Sequence, residues 1–164
     1  MENGHQPIVI LLADDHEEDR MLVCEALIES RLSNHVCCVT DGEELMEYLQ
    51  RRGKYAPPAE APRPGIILLD LDLPKKDGRE ALKEIQSDPD LRLIPIVVLT
   101  TLKADEDILR SYDSGASSFI SKPVTLEGLV GFMKGLGQYW IEIVEVAKQV
   151  PYQYEAKNNQ SSPH

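Results

Sequence analysis

Apolar positions along this chain follow two alternating rhythms. Continuous runs of strand length occur at "PIVILLA" (7–13), "HVCCVT" (35–40), "GIILLD" (65–70), "IPIVVLTT" (94–101) and "SSFIS" (117–121). Between them, apolar residues recur at intervals of three and four, the spacing that lines side chains along one helical face. Leu22, Val23, Ala26 and Leu27 form the first stripe, Leu45, Tyr48 and Leu49 the second, and Ala81, Leu82 and Ile85 the third. Ile108, Leu109 and Tyr112 form a fourth, and a last, long helix carries Leu126, Leu129, Val130, Met133, Trp140 and Val144 on one face. Five repeats of strand then helix, with strands apolar on both faces, predict a parallel sheet covered by helices on both sides. The fold class is α/β, a doubly wound (βα)5 architecture.

The length of 164 residues suits one domain, read as residues 1–150 with an extended last helix. The polar stretch 151–164 is expected to be a disordered tail. Residues 51–64, "RRGKYAPPAEAPRP", contain four prolines and form an unusually long connection before the third strand. A tolerated surface insertion is the expectation there.

Composition narrows the function. A formal net charge of −11 repels phosphate, so a nucleic-acid partner is not expected. No apolar run reaches the 18 or so residues of a membrane span, and the N-terminus lacks a secretory hydrophobic segment, so a cytoplasmic protein is expected. Cys24, Cys37 and Cys38 cannot make a disulfide framework and are read as small apolar filler, with 37 and 38 facing opposite sides of a strand.

The chemistry gathers at strand ends. "GIILLD" closes on Asp70 although aspartate is depleted in strands and costly to bury alone. In parallel α/β sheets, ligands bind beyond the carboxyl ends of the strands. Asp14 and Asp15 end the first strand, Asp70 the third and Thr100 the fourth, while Lys122 follows the fifth. Three carboxylates on one rim raise each other's pKa unless a positive charge sits among them. Mg2+ fits, since it takes one or two carboxylates and keeps water and phosphoryl positions open. Metal, ammonium and hydroxyl around one point make a receptor for a phosphoryl group, with Asp70 as nucleophile and an acyl phosphate as product. Taken singly, these acids could be helix caps or loop residues, and Gly78 after Asp77 a tight turn into the third helix.

The set "ADD", "LLDLDLPKKDG", "VLTT" and "ISKPV" resembles the receiver domain of two-component response regulators, over about residues 7–148. The resemblance implies a flavodoxin-like sheet of order 2-1-3-4-5. It implies that Asp70 accepts phosphate from a histidine kinase. Asp14, Asp15 and Asp70 would hold Mg2+ with the backbone carbonyl of Asp72. Lys122 would contact the phosphoryl group through a loop with a cis bond to Pro123, and Thr100 and Phe119 would act as the switch. "LPKKDGREALKEI", "DPDLRLIPIVVLTT" and "YW" further resemble stand-alone receivers paired with phytochrome-type kinases. That likeness implies a homodimer through the fourth helix, fifth strand and fifth helix, and the apolar Tyr139, Trp140, Ile141 and Val144 suit such a face. Output would then run through protein contacts or dimerisation, with no turnover enzyme involved.

Three positions depart from the common pattern. Asp72 stands where many receivers have a neutral residue and adds a carboxylate near the site. His16 follows the acid pair and is expected as a solvated loop histidine. Phe119 replaces a hydroxyl-bearing tyrosine, leaving packing alone to drive the switch. Two alternatives remain at this point: a receiver that binds partners without phosphorylation, and a phosphatase of the haloacid dehalogenase type, which "LLDLDLP" also resembles. The latter places its nucleophile on the first strand.

Overall fold

The computed structural model describes residues 8–30, 34–100, 118–121 and 125–135. Five strands, β1 (Ile8–Ala13), β2 (Asn34–Val39), β3 (Ile66–Asp70), β4 (Ile96–Thr100) and β5 (Ser118–Ser121), form one sheet in the order β2-β1-β3-β4-β5. Each neighbouring pair is parallel, so all five carboxyl ends point to one edge. Three helices intervene, α1 (Glu17–Ser30), α2 (Gly42–Gln50) and α3 (Gly78–Ser87), and residues 126–135 are helical. The order expected from the resemblance is the one observed.

Strand alternation divides the core in two. Leu11, Ala13, Ile67, Leu69, Ile96 and Val98 point to one face and meet Leu45, Met46, Ala81, Leu82 and Ile85 of α2 and α3. Ile10, Leu12, Leu68, Val97 and Leu99 point to the other and meet Val23, Ala26 and Leu27 of α1, with Leu129 and Met133. All five residues of β3 are buried. Burying each large apolar side chain contributes about 1.5–3 kcal/mol, so β3 is firmly anchored. Asp70 inherits that rigidity as its last residue.

The connection 51–64 lies at the surface as expected, most of its residues exposed, and it is also tied to the body. It holds a 3-10 turn (Gly53–Tyr55), and Tyr55 packs on Tyr48 with ring centroids 5.0 Å apart. Tyr48 donates to the Pro62 carbonyl at 2.8 Å, and Ala61 is buried in the core. The polar ends of two tyrosines thus fasten a proline-rich segment that has little apolar surface of its own. Of the cysteines, Cys37 is half-buried against the core, but Cys24 and Cys38 are exposed. Cys38 lies on β2 at the sheet's edge, and Cys24 follows buried Val23 onto the outer side of α1.

Ile108, Leu109 and Tyr112, the apolar group Tyr139, Trp140, Ile141 and Val144, and the tail 151–164 lie outside the described residues. Among the described residues, no helix is long and apolar enough to cross a membrane.

Candidate functional site

The carboxyl edge of the sheet is built by local turns that aim acids inward. The amide of Asp14 donates to the Val39 carbonyl at 3.1 Å, extending the β1–β2 ladder one residue past Ala13. The chain then turns: Asp14 Oδ1 accepts from the His16 amide at 2.9 Å, and the His16 carbonyl accepts from the Arg20 amide at 3.1 Å to begin α1. Arg20 also reaches back, its Nη1 donating to the Asp14 carbonyl at 2.9 Å. Glu17, Glu18 and Asp19 occupy the first turn of α1, where the helix dipole favours negative charge. The capping reading of Asp14 therefore holds in part, since one of its oxygens serves the turn. It does not explain complete burial, which a turn residue does not need.

Asp70 is also fully buried. Its Oδ1 accepts from the Asp72 amide at 3.0 Å, which fixes the carboxylate at the mouth of β3. The segment after it returns closely beneath. Gly78 donates from its amide to the Leu71 carbonyl at 3.0 Å, and a Cβ at Gly78 would lie 2.5 Å from the Asp70 carbonyl oxygen. Glycine is required there by space, which bears out its reading as a turn residue. Gly42 plays the same part on the neighbouring helix, where a Cβ would fall 1.8 Å from the Lys76 carbonyl.

Asp14, Asp15, His16 and Asp70 each offer one ligand atom, and these atoms all lie within 4.8 Å of one another. Three carboxylates this close repel unless a cation joins them, and the donor set fits a divalent ion. His16 is a solvated loop histidine as expected, its ring more than half exposed, but Nδ1 also stands 3.2 Å from Asp14 Oδ1, 3.4 Å from Asp15 Oδ1, 3.7 Å from Asp70 Oδ2 and 3.8 Å from Asp19 Oδ2. The turn that opens α1 folds the ring over the acids. The signal in the sequence was its position directly after the acid pair. Asp72 adds its carboxylate beside the group of four rather than in it, with Oδ1 3.8 Å from Arg79 Nη1. The Asp72 backbone remains beside Asp70 through the amide bond already described.

Thr100 ends β4 on the same edge and is buried. It pairs in register with Ser121, the residue before Lys122, while Phe119 pairs with Val98. Lys122 and Pro123 lie outside the described residues.

Comparison with known proteins agrees with this geometry. The family model of the response regulator receiver domain matches residues 10–134. The chain is 41% identical over 143 residues to the response regulator Rcp1 of Synechocystis sp., covering 87% of this chain and 95% of that protein. The crystal structure of the phosphorylated cyanobacterial phytochrome response regulator RcpA aligns with a TM-score of 0.71 and 45% identity, covering 83% of this chain and 95% of that one. The Mn2+-bound form of Rcp1 aligns with a TM-score of 0.70 and 42% identity, over 84% and 96% of the two chains. The chain belongs to the response regulator receiver family. The phosphatase alternative falls with that result, consistent with a candidate nucleophile on the third strand rather than the first.

Proposed function

We propose that this chain is a response regulator of a two-component phosphorelay, accepting a phosphoryl group on Asp70 from a histidine kinase of phytochrome type and acting in the cytoplasm. One observation carries the reading: a fully buried carboxylate at the end of the central strand, in one cluster with Asp14 and Asp15. Asp14, Asp15 and Asp70, with the backbone carbonyl of Asp72, would hold Mg2+. When bound, such an ion offsets the negative charge of carboxylates and phosphoryl oxygens brought together.

The rest is done by the chain's own groups. The Asp72 amide orients the Asp70 carboxylate, and the buried β3 keeps it from moving away from an incoming phosphorus. An oxygen of Asp70 attacks the phosphorus of a phosphohistidine, forming a P–O bond while the P–N bond breaks and imidazole leaves. Lys122 would pair with a phosphoryl oxygen and Thr100 would donate its hydroxyl to another. Thr100 and Phe119 would pass that local change to the face made by the fourth helix, β5 and the last helix, where a second copy of the chain would dock. The kinase assignment is supported by likeness to RcpA, described as a phytochrome response regulator, over 83% of this chain and 95% of that one.

Label transfer tests the pairing. A phytochrome-type histidine kinase, autophosphorylated with labelled ATP, should lose its label to the wild-type chain within minutes and not to Asp70→Asn. Retention of label by the kinase in both cases, alongside transfer from an unrelated kinase class, would assign a different partner.

A further inference from the structure

We propose that His16 is a direct ligand of the divalent ion in this pocket, and that its ring nitrogen biases the site toward late first-row transition metals over Mg2+. The inference rests on reading the acidic pocket as a cation site. It concerns a residue outside the oxygen donor set assigned above.

The geometry places Nδ1 among the carboxylate oxygens rather than beside one of them. Donors at about 2.1 Å from an octahedral ion are about 3.0 Å apart when adjacent and about 4.2 Å apart when opposite. Nδ1 lies 3.2 and 3.4 Å from oxygens of Asp14 and Asp15, near the adjacent spacing, and 3.7 and 3.8 Å from oxygens of Asp70 and Asp19. The His16 amide is bonded to Asp14 and its carbonyl to the Arg20 amide, so the backbone that carries the ring is held at the rim of the pocket. A simple ion pair with Asp14 would explain one short distance, but Nδ1 faces oxygens of four residues, Asp14, Asp15, Asp70 and, at 3.8 Å, Asp19.

Chemistry then sets the preference. Mg2+ favours hard oxygen ligands and water, whereas imidazole suits Ni2+, Zn2+ and Cu2+. A site of oxygens alone separates Mg2+ from Ni2+ less than one that adds a nitrogen. His16 is therefore a specificity-determining group for the metal, and the ring's exposure leaves it able to meet an ion arriving from solvent.

Two measurements on the full, untagged chain test this. Titration calorimetry with Ni2+ and with Mg2+ gives a selectivity ratio for wild type, His16→Asn and His16→Gln. The ratio should fall at least about tenfold in both variants, the scale on which groups supporting a metal ligand act. Pulsed electron paramagnetic resonance on the Mn2+-loaded wild type should show modulation from a nitrogen-14 nucleus, lost in both variants. Circular dichroism melts confirm that the exposed ring can be replaced without unfolding. A ratio within about twofold of wild type, or no nitrogen coupling in wild type, would overturn the role of His16. Asp15→Asn is the separate control: it should weaken both ions. If wild type bound neither ion, the cation reading itself would fail and take this inference with it.

Discussion

Tyr55→Phe isolates the contact that fastens the long connection to α2. Glu44 Oε2 accepts from the Tyr55 hydroxyl at 2.7 Å and lies 2.9 Å from Lys54 Nζ, while Oε1 accepts from the Thr40 amide at 2.9 Å. Burial pushes this carboxyl up, but the three partners outweigh it and hold it down from the ordinary 4.5 to about 2. The difference corresponds to at most about 3 kcal/mol of stability at neutral pH, less what solvent takes from the exposed Lys54 pair. Because the folded value lies below the unfolded one, that contribution is complete above about pH 5.5. It is lost as pH falls between about 4.5 and 2. Phenylalanine keeps the ring against Tyr48 and removes only the hydroxyl. A hydrogen bond to a charged group contributes about 1.5–3 kcal/mol, so urea unfolding at pH 7 should show a loss of about 2 kcal/mol. Carbon-13 NMR should find the Glu44 carboxyl titrating near 2 in wild type and upward by more than about one unit in the variant. A wild-type carboxyl titrating near 4.5, or one unmoved in the variant, would refute the linkage.

Two further substitutions test how the site is held. Gly78→Ala offers a helix-propensity gain of at most about 1 kcal/mol, yet its Cβ would meet the Asp70 carbonyl at 2.5 Å. Overpacking at about 1–3 kcal/mol should win, lowering the urea midpoint and weakening metal affinity together; a stabilised variant would contradict this. Asp41→Ala removes the N-cap of α2, whose side chain accepts from the Glu44 amide at 2.7 Å. It should cost about 1 kcal/mol in denaturant unfolding, and an unchanged midpoint would show the cap to be idle.

The fold was legible because its signals are redundant. Five apolar runs and their helical stripes each specify the same parallel layering, and both faces of β1, β3 and β4 bear it out. The rim was legible for a similar reason, since the acids fall at strand ends that topology brings together. What could not be read depends on turn geometry and on side chains meeting across the chain. His16 looked like a solvated loop residue because its exposure is real, and only the turn into α1 shows where its ring points. Asp72 reads as an extra carboxylate near the site, and spacing alone does not show that it stands beside Arg79 in the first turn of α3 rather than among the four ligand groups. The connection 51–64 reads only as a surface insertion, since of the two tyrosines that pin it one, Tyr48, lies outside it in α2 and the other, Tyr55, stands among prolines and charges.

The acceptor assignment is tested most directly by intact mass after treatment with acetyl phosphate and Mg2+, wild type beside Asp70→Asn. Wild type should gain the mass of one phosphoryl group only when the metal is present, and the variant should gain none. A wild type that stays at its starting mass would mean a receiver that acts by binding alone, and an equal gain in the variant would place the phosphoryl group on another residue.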